Sequence, residues 1–239
     1  MIIFPAIDLM GGQVVRLQQG KAEAKTIYAD DPIAVALEWK NQGAEWLHIV
    51  DLDGAFEGTP KNFEVVALIV QAVGIPCQLG GGMRDAETMQ RAFDAGVSRV
   101  VIGSRACDSI DFVKQAAQRF GGERIAVGID AKHGKVAVKG WTKESAWKVF
   151  DLAKAVVKAG AGTIIYTDIA TDGMLRGPNI SAIKTLKETV PAQLIASGGV
   201  SSLEDIRNLA KIPDLYGVIV GKALYDKKMT LTECLSCLR

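Results

Sequence analysis

Metal ligands and redox groups are scarce in this chain, which has four cysteines and two histidines in 239 residues. Cys234 and Cys237 form a lone Cys-x-x-Cys in a helix-like segment, without the second ligand pair of a zinc site or the flanking active-site strand of a redox motif. With Cys77 and Cys107 they read as ordinary thiols. His48 is out of strand parity with Asp51 and reads as structural. His133 follows Asp130 in a loop and reads as solvated. Neither histidine has the three or four ligands that a metal needs, so no metal and no cofactor is expected. No sign of charge dominates either, with 28 basic and 27 acidic residues. That balance argues against a nucleic-acid-binding stripe or an acidic tail, and an anionic ligand would have to be held by local groups. No apolar run approaches membrane-spanning length, and Met1-Ile2-Ile3-Phe4 lacks the basic start of a signal peptide. The expectation is a cytoplasmic protein with no membrane partner. There is no Walker loop, dinucleotide fingerprint or Ser-His-Asp ordering, and no linker-like or low-complexity tract.

Short β-branched apolar runs recur instead. Strands are expected near 2–8, 45–51, 75–79, 99–103, 124–130, 163–168, 193–197 and 216–221. They alternate little between apolar and polar, as strands buried on both faces do. Helical start signals lie between them. Asp31-Pro32 places a capping carboxylate before a first-turn proline, and Ser201-Ser202-Leu203-Glu204 reads as a capping box. From Lys61 to Val73 one helical face carries Phe63, Val66, Val70 and Val73. Eight strand–helix units in this length point to an α/β fold, a (β/α)8 TIM barrel in one domain spanning 1–239.

The barrel is expected to be an internal duplication, with half-repeats of about 1–120 and 121–239. Ala6-Ile7-Asp8 with Gly12 matches Gly128-Ile129-Asp130 with Gly134 at an offset of 122. Asp53-Gly54-x-x-x-Gly58 matches Asp172-Gly173-x-x-x-Gly177, Gly81-Gly82 matches Gly198-Gly199, and Val101-Ile102-Gly103 matches Ile219-Val220-Gly221. All of these fall at the C-terminal ends of strands, where barrel active sites are built. Glycine lets backbone N–H groups approach an anion, and a helix N-terminus follows each loop. Gly198-Gly199 with Gly221 and Lys222, and Gly81-Gly82 with Gly103-Ser104, therefore make two phosphate sites, and the expected partner is a small bisphosphorylated substrate. Asp51, Asp53 and Asp168 read as caps or loop anchors. Asp8 and Asp130 end apolar strands in both copies and would divide acid and base work across the mouth; spacing does not say which takes which role.

Together these stretches resemble a known family along the whole chain. The matching residues run from Pro5-Ala6-Ile7-Asp8-Leu9 with Gly12-x-Val14-Val15-Arg16-Leu17, through Leu47-His48-x-Val50-Asp51-Leu52-Asp53-Gly54-Ala55 and Gly80-Gly81-Gly82-x-Arg84. They continue with Gly128-Ile129-Asp130, Gly140-Trp141, Thr167-Asp168-Ile169, Asp172-Gly173, Gly177-Pro178-Asn179, Ser197-Gly198-Gly199-Val200 and Gly217-Val218-Ile219-Val220-Gly221. The family is that of the histidine-biosynthesis isomerases acting on phosphoribosylformimino-aminoimidazole carboxamide ribotide (ProFAR). The resemblance implies a cofactor-free Amadori rearrangement of an aminoaldose to an aminoketose. It implies Asp8 as base, Asp130 as acid and Thr167 as the group orienting the reacting centre. Arg16, Arg84 and Trp141 would contact substrate, Trp141 by stacking on the heterocycle. Met83 stands where a β-branched residue is usual in the family.

Two sister activities remain open at this level: an isomerase that also takes phosphoribosylanthranilate, and the cyclase subunit of imidazole glycerol phosphate synthase. The cyclase carries a Leu-Asp-Val-Lys-like first loop where this chain has Ile7-Asp8-Leu9 and Arg16. A monomer is expected. The Lys21 to Lys25 segment reads as a loop, within a stretch from Gly11 to Tyr28 long enough to fold over a ligand.

Overall fold

The structure is a computed structural model that describes residues 1–18 and 21–238. The apolar runs form eight parallel strands: β1 (Ile2–Met10), β2 (Leu47–Asp51), β3 (Cys77–Gly80), β4 (Arg99–Ile102), β5 (Ile125–Lys132), β6 (Thr163–Asp168), β7 (Gln193–Ser197) and β8 (Gly217–Val220). Each pairs with the next, and β8 pairs back with β1 through Ile2↔Gly217 to Pro5↔Val220, so the sheet closes. Closure leaves no unpaired edge, and with helices outside, this is the expected (β/α)8 TIM barrel.

Two apolar layers follow from strand parity. Phe4, Ala6, Val101, Ala126, Ile165, Ile195 and Ile219 pack inside the barrel. Their strand neighbours, among them Ile7, Ile49, Leu79, Val100, Val127 and Leu194, pack outward against the helices. Helix Phe63–Val73 buries Val66, Ile69 and Val73, so Ile69 joins the face expected from spacing. Asp31 accepts from the backbone N–H of Ile33 and Ala34 at 3.0 Å each and starts helix Pro32–Asn41. The capping box before Leu203–Ala210 sits one residue later than expected. It pairs Ser202 with Asp205, and Ser201 also donates to the Asp205 carboxylate.

Two segments read as loops are strands. Gln13–Gln18 runs antiparallel to β1 and is paired in turn by Lys21–Ala29. The Lys21 to Lys25 segment is thus strand, hidden from pattern reading by its charges; Gln19 and Gly20 lie outside the described residues. After β5, Lys135–Val138 turns back and pairs with Lys143–Lys148. His133 (φ 52) and Gly134 (φ 78) make that tight turn, both at the positive φ that a two-residue hairpin favours. Among the described residues, no helix is long and apolar enough to cross a membrane.

Candidate active site

The two hairpins bring one side chain each onto the two aspartates. Asp8 is paired with Val15 across the first hairpin, and the next residue, Arg16, donates from Nη1 to Asp8 Oδ2 at 2.7 Å. Beyond the second hairpin strand, Trp141 takes a positive φ of 69 and its indole N–H donates to Asp130 Oδ2 at 2.7 Å. Thr167 lies beside Asp130 on the adjoining strand, in register with it.

These partners set the two carboxyls differently. Burial raises the Asp8 pKa above the usual carboxylate value, and the Arg16 cation opposes that rise. Burial also raises Asp130, opposed by hydrogen bonds from Trp141 and Thr167. One carboxyl is balanced by a full charge and the other by neutral donors. A cation favours a carboxylate over its acid more strongly than a neutral donor does. A third carboxyl, Asp172, joins them. Burial pushes it up to about 6, with Arg16 lowering it and the charges of Asp8 and Asp130 raising it.

A cavity of about 250 Å³ opens between these groups at the C-terminal ends of the strands. Asp8, Arg16, Gly81, Gly82, Arg84, Gly103, Ser104, Asp130, Trp141, Thr167 and Asp172 all line it. A small annex of about 20 Å³ lies beyond Arg16 and Asp172, lined by Gly198, Gly199, Gly221 and Lys222. Arg16 borders both spaces, and a Cβ on Gly221 would sit 2.3 Å from its Nη2. The guanidinium thus lies against Gly221, between the two spaces. Gly177 lines neither space; its N–H donates to the Gly199 carbonyl at 2.9 Å and braces that loop. Lys222 pairs with Asp226, which also accepts from the Tyr28 hydroxyl at 2.6 Å. The Ser104 hydroxyl accepts from the Lys139 N–H at 2.8 Å.

The glycine pairs are held by close packing. Gly81 has φ +97, and a Cβ there would lie 2.0 Å from the Asp51 carbonyl oxygen; Gly198 has φ +89, and its Cβ would lie 3.0 Å from the Asp168 oxygen. Asp51 and Asp168 themselves are anchors. Asp51 accepts from the N–H of Gly54 and Asn62 and from the Asn62 amide. Asp168 accepts from Ala170 N–H and from the Asn179 amide at 2.7 Å.

The offset of 119 that matched Asp53 to Asp172 pairs residues with different work. Asp53 accepts from Gly11 N–H at 2.7 Å and from Asn62, tying down the first hairpin turn, while Asp172 faces the cavity. The Asp51 and Asn62 pair recurs as Asp168 and Asn179 at an offset of 117, so the loop slips by two residues before Asp172. Sequence reading also missed cavity walls at His48, Phe56 and Arg105. For His48 the signal was present: opposite parity from the outward Asp51 puts it on the inner wall. Phe56 and Arg105 carry no such signal.

The chain matches the histidine biosynthesis protein family over residues 2–230. Three curated relatives carry the name 1-(5-phosphoribosyl)-5-((5-phosphoribosylamino)methylideneamino)imidazole-4-carboxamide isomerase. The relative from Opitutus terrae is 52% identical, covering 99% of this chain and 98% of its own length. Those from Pelobacter propionicus and Geobacter sulfurreducens are 51% and 50% identical, each covering 99% of this chain and 97% of its own.

Proposed function

The chain belongs to the histidine biosynthesis protein family, and from that premise we propose that it is an aldose–ketose isomerase converting the ProFAR aminoaldose to its aminoketose. Asp130 protonates the ribose ring oxygen as the ring opens to a Schiff base. Asp8 takes the proton from carbon 2, giving an enolamine that collapses to the ketose. Thr167 orients the reacting centre, and Trp141 lies against the heterocycle. The carrying observation is the unequal partnering of the two carboxyls. Arg16 at 2.7 Å favours ionised Asp8, as a base requires, whereas Asp130 has only neutral donors and keeps its proton more readily. Each positioned proton transfer contributes roughly 10²–10⁴-fold.

The two glycine-lined ends of the cavity support the capture of one phosphate each. Gly81, Gly82, Gly103 and Ser104 serve one end, with Arg84 beside them. Gly198, Gly199, Gly221 and Lys222 serve the other, braced by Gly177. Phosphate binding there lends remote binding energy to orientation at the reacting carbons. Asp172 contacts substrate between the annex and the aspartates. Residues of about 1–120 and 121–239 are read as copies of one half-barrel. The repeated Asp–Asn anchors and glycine pairs at an offset of 117 support that reading.

The test is a spectrophotometric turnover assay with the ProFAR aminoaldose beside phosphoribosylanthranilate. Turnover of the first alone is expected. Turnover of both extends the specificity, and turnover of neither by protein that binds the bisphosphate overturns the reading.

A further inference from the structure

Beneath the aspartates, three polar side chains on the inner wall of the barrel form a chain of hydrogen bonds. Arg99 is 2% exposed and reaches the Gln78 side-chain oxygen Oε1 from Nε at 3.0 Å and from Nη2 at 2.8 Å. Its Nη1 donates to Thr163 Oγ1 at 3.0 Å and to Gln193 Oε1 at 3.3 Å. The other end of the Gln78 amide, Nε2, lies 2.8 Å from His48 Nδ1.

The chemistry of these groups removes an ambiguity. A guanidinium has donors and no acceptor, so the Gln78 atom facing it must be the oxygen. The atom facing His48 is then the amide nitrogen, which only donates. His48 Nδ1 must therefore be bare, and a neutral ring carries its proton on Nε2. The ring is kept neutral first by burial and then by the charges of Arg16 and Arg99, which lower its pKa to about 3. His48 lines the cavity. Among the described residues, no protein group pairs with Nε2, and the only sealed-off side-chain nitrogen or oxygen without a partner is Trp39 Nε1. The Nε2–H thus opens on the cavity.

We infer that His48 presents a fixed neutral N–H donor to a sugar hydroxyl beside the reacting carbons, and that Gln78 and Arg99 are positioning residues that lock its tautomer. The inference rests on the isomerase reading for the identity of the ligand. A neutral donor suits a site that must bind hydroxyl oxygens without adding a further acid to the three carboxyls. It also excludes a titrating imidazole from the proton path.

The test begins with long-range ¹H–¹⁵N correlation spectra of the ¹⁵N-histidine-labelled whole protein, the His48 signals being assigned with His48→Gln. The expected result is a bare Nδ1 and a protonated Nε2, unchanged from about pH 5 to 9, a range well above the pKa of about 3. An Nδ1–H tautomer, or titration within that range, overturns the lock. Gln78→Glu sets a carboxylate against Nδ1 and is expected to move the proton to Nδ1 or to charge the ring; an unchanged His48 spectrum in that variant overturns the role of Gln78. With the ProFAR aminoaldose, His48→Phe, which keeps a ring and removes the N–H, is expected to lose about tenfold in kcat, near the worth of one neutral hydrogen bond, with KM moved less. Wild-type turnover together with an unaltered kcat in His48→Phe overturns the donor role alone. Absent wild-type turnover overturns the isomerase reading instead.

Discussion

At matching places on the inner wall, the first half of the chain carries His48, Gln78 and Arg99 where the second carries Ile165, Ile195 and Gly217. Ile165 and Ile195 pack in the apolar interior, and Gly217 has no side chain to contribute. The first half instead buries a guanidinium without a carboxylate partner among the described residues. Neutral oxygens and aromatic faces compensate it: Trp46 at 4.6 Å, Tyr216 at 5.5 Å and Phe4 at 5.8 Å from the guanidinium carbon to the ring centroid. A buried cation is tolerated when its donors are satisfied. The aspartates diverge in the same way. Asp8 has a charged neighbour and Asp130 an indole, although equivalent hairpins deliver both. Two hairpins at matching places thus hold two chemically unlike carboxyls.

The largest expected effect tests whether both sides are needed. Asp8→Asn and Asp130→Asn should each cut kcat by roughly 10²–10⁴, while affinity for the bisphosphate product stays within about tenfold. Titration calorimetry beside turnover checks this, and near-normal turnover in either variant breaks the two-carboxylate account. Next come the loop glycines, where the halves differ in tightness. Gly81→Ala drives its Cβ to 2.0 Å from a backbone oxygen and Gly198→Ala to 3.0 Å. Urea unfolding should show a loss of about 3 kcal/mol or more for the first and about 1–2 kcal/mol for the second. Equal losses would mean that the first loop relaxes freely.

Arg16→Gln probes the charged side. Arg16 lowers the pKa of Asp8, so its removal raises that pKa. A base must be ionised, and the acid limb of kcat/KM should move to higher pH. The smallest effect separates His48 from Ile165. An unfolded histidine takes up a proton near pH 6.5, roughly its unperturbed pKa, while folded His48 stays neutral down to about 3. The unfolded state binds more protons between these values, so stability falls as pH falls through that window, by up to about 1.4 kcal/mol per pH unit from this group. In urea titrations at pH 7 and pH 4.5, His48→Gln should lose less on acidification than wild type. Ile165→Val should lose as much as wild type.

The barrel was legible in the sequence because eight mostly apolar, β-branched runs recur between helical start signals. Asp8, Asp130 and the glycine pairs were legible because each motif occurs twice in the sequence at a similar offset. The hairpins were not, since Lys21–Ala29 and Lys143–Lys148 carry charges and residues 24–29 and 143–148 are partly solvated, and their pairing depends on a turn rather than on burial. The Arg16 and Trp141 contacts with the aspartates follow from those hairpins and were hidden with them. Asp172 was found, but by a match to Asp53 that the two-residue slip makes accidental. His48 was read as structural from its parity against Asp51, and its contact with Gln78 stayed hidden because Gln78 comes from the next strand.

The measurement that bears most directly on the division of labour is the pH dependence of kcat/KM for Trp141→Phe against wild type. Trp141 lowers the pKa of Asp130 through its hydrogen bond, so losing the indole N–H raises that pKa. An acid must be protonated, and the account predicts an alkaline limb displaced to higher pH with the acid limb fixed. Displacement of the acid limb instead would make Asp130 the base and contradict the assignment.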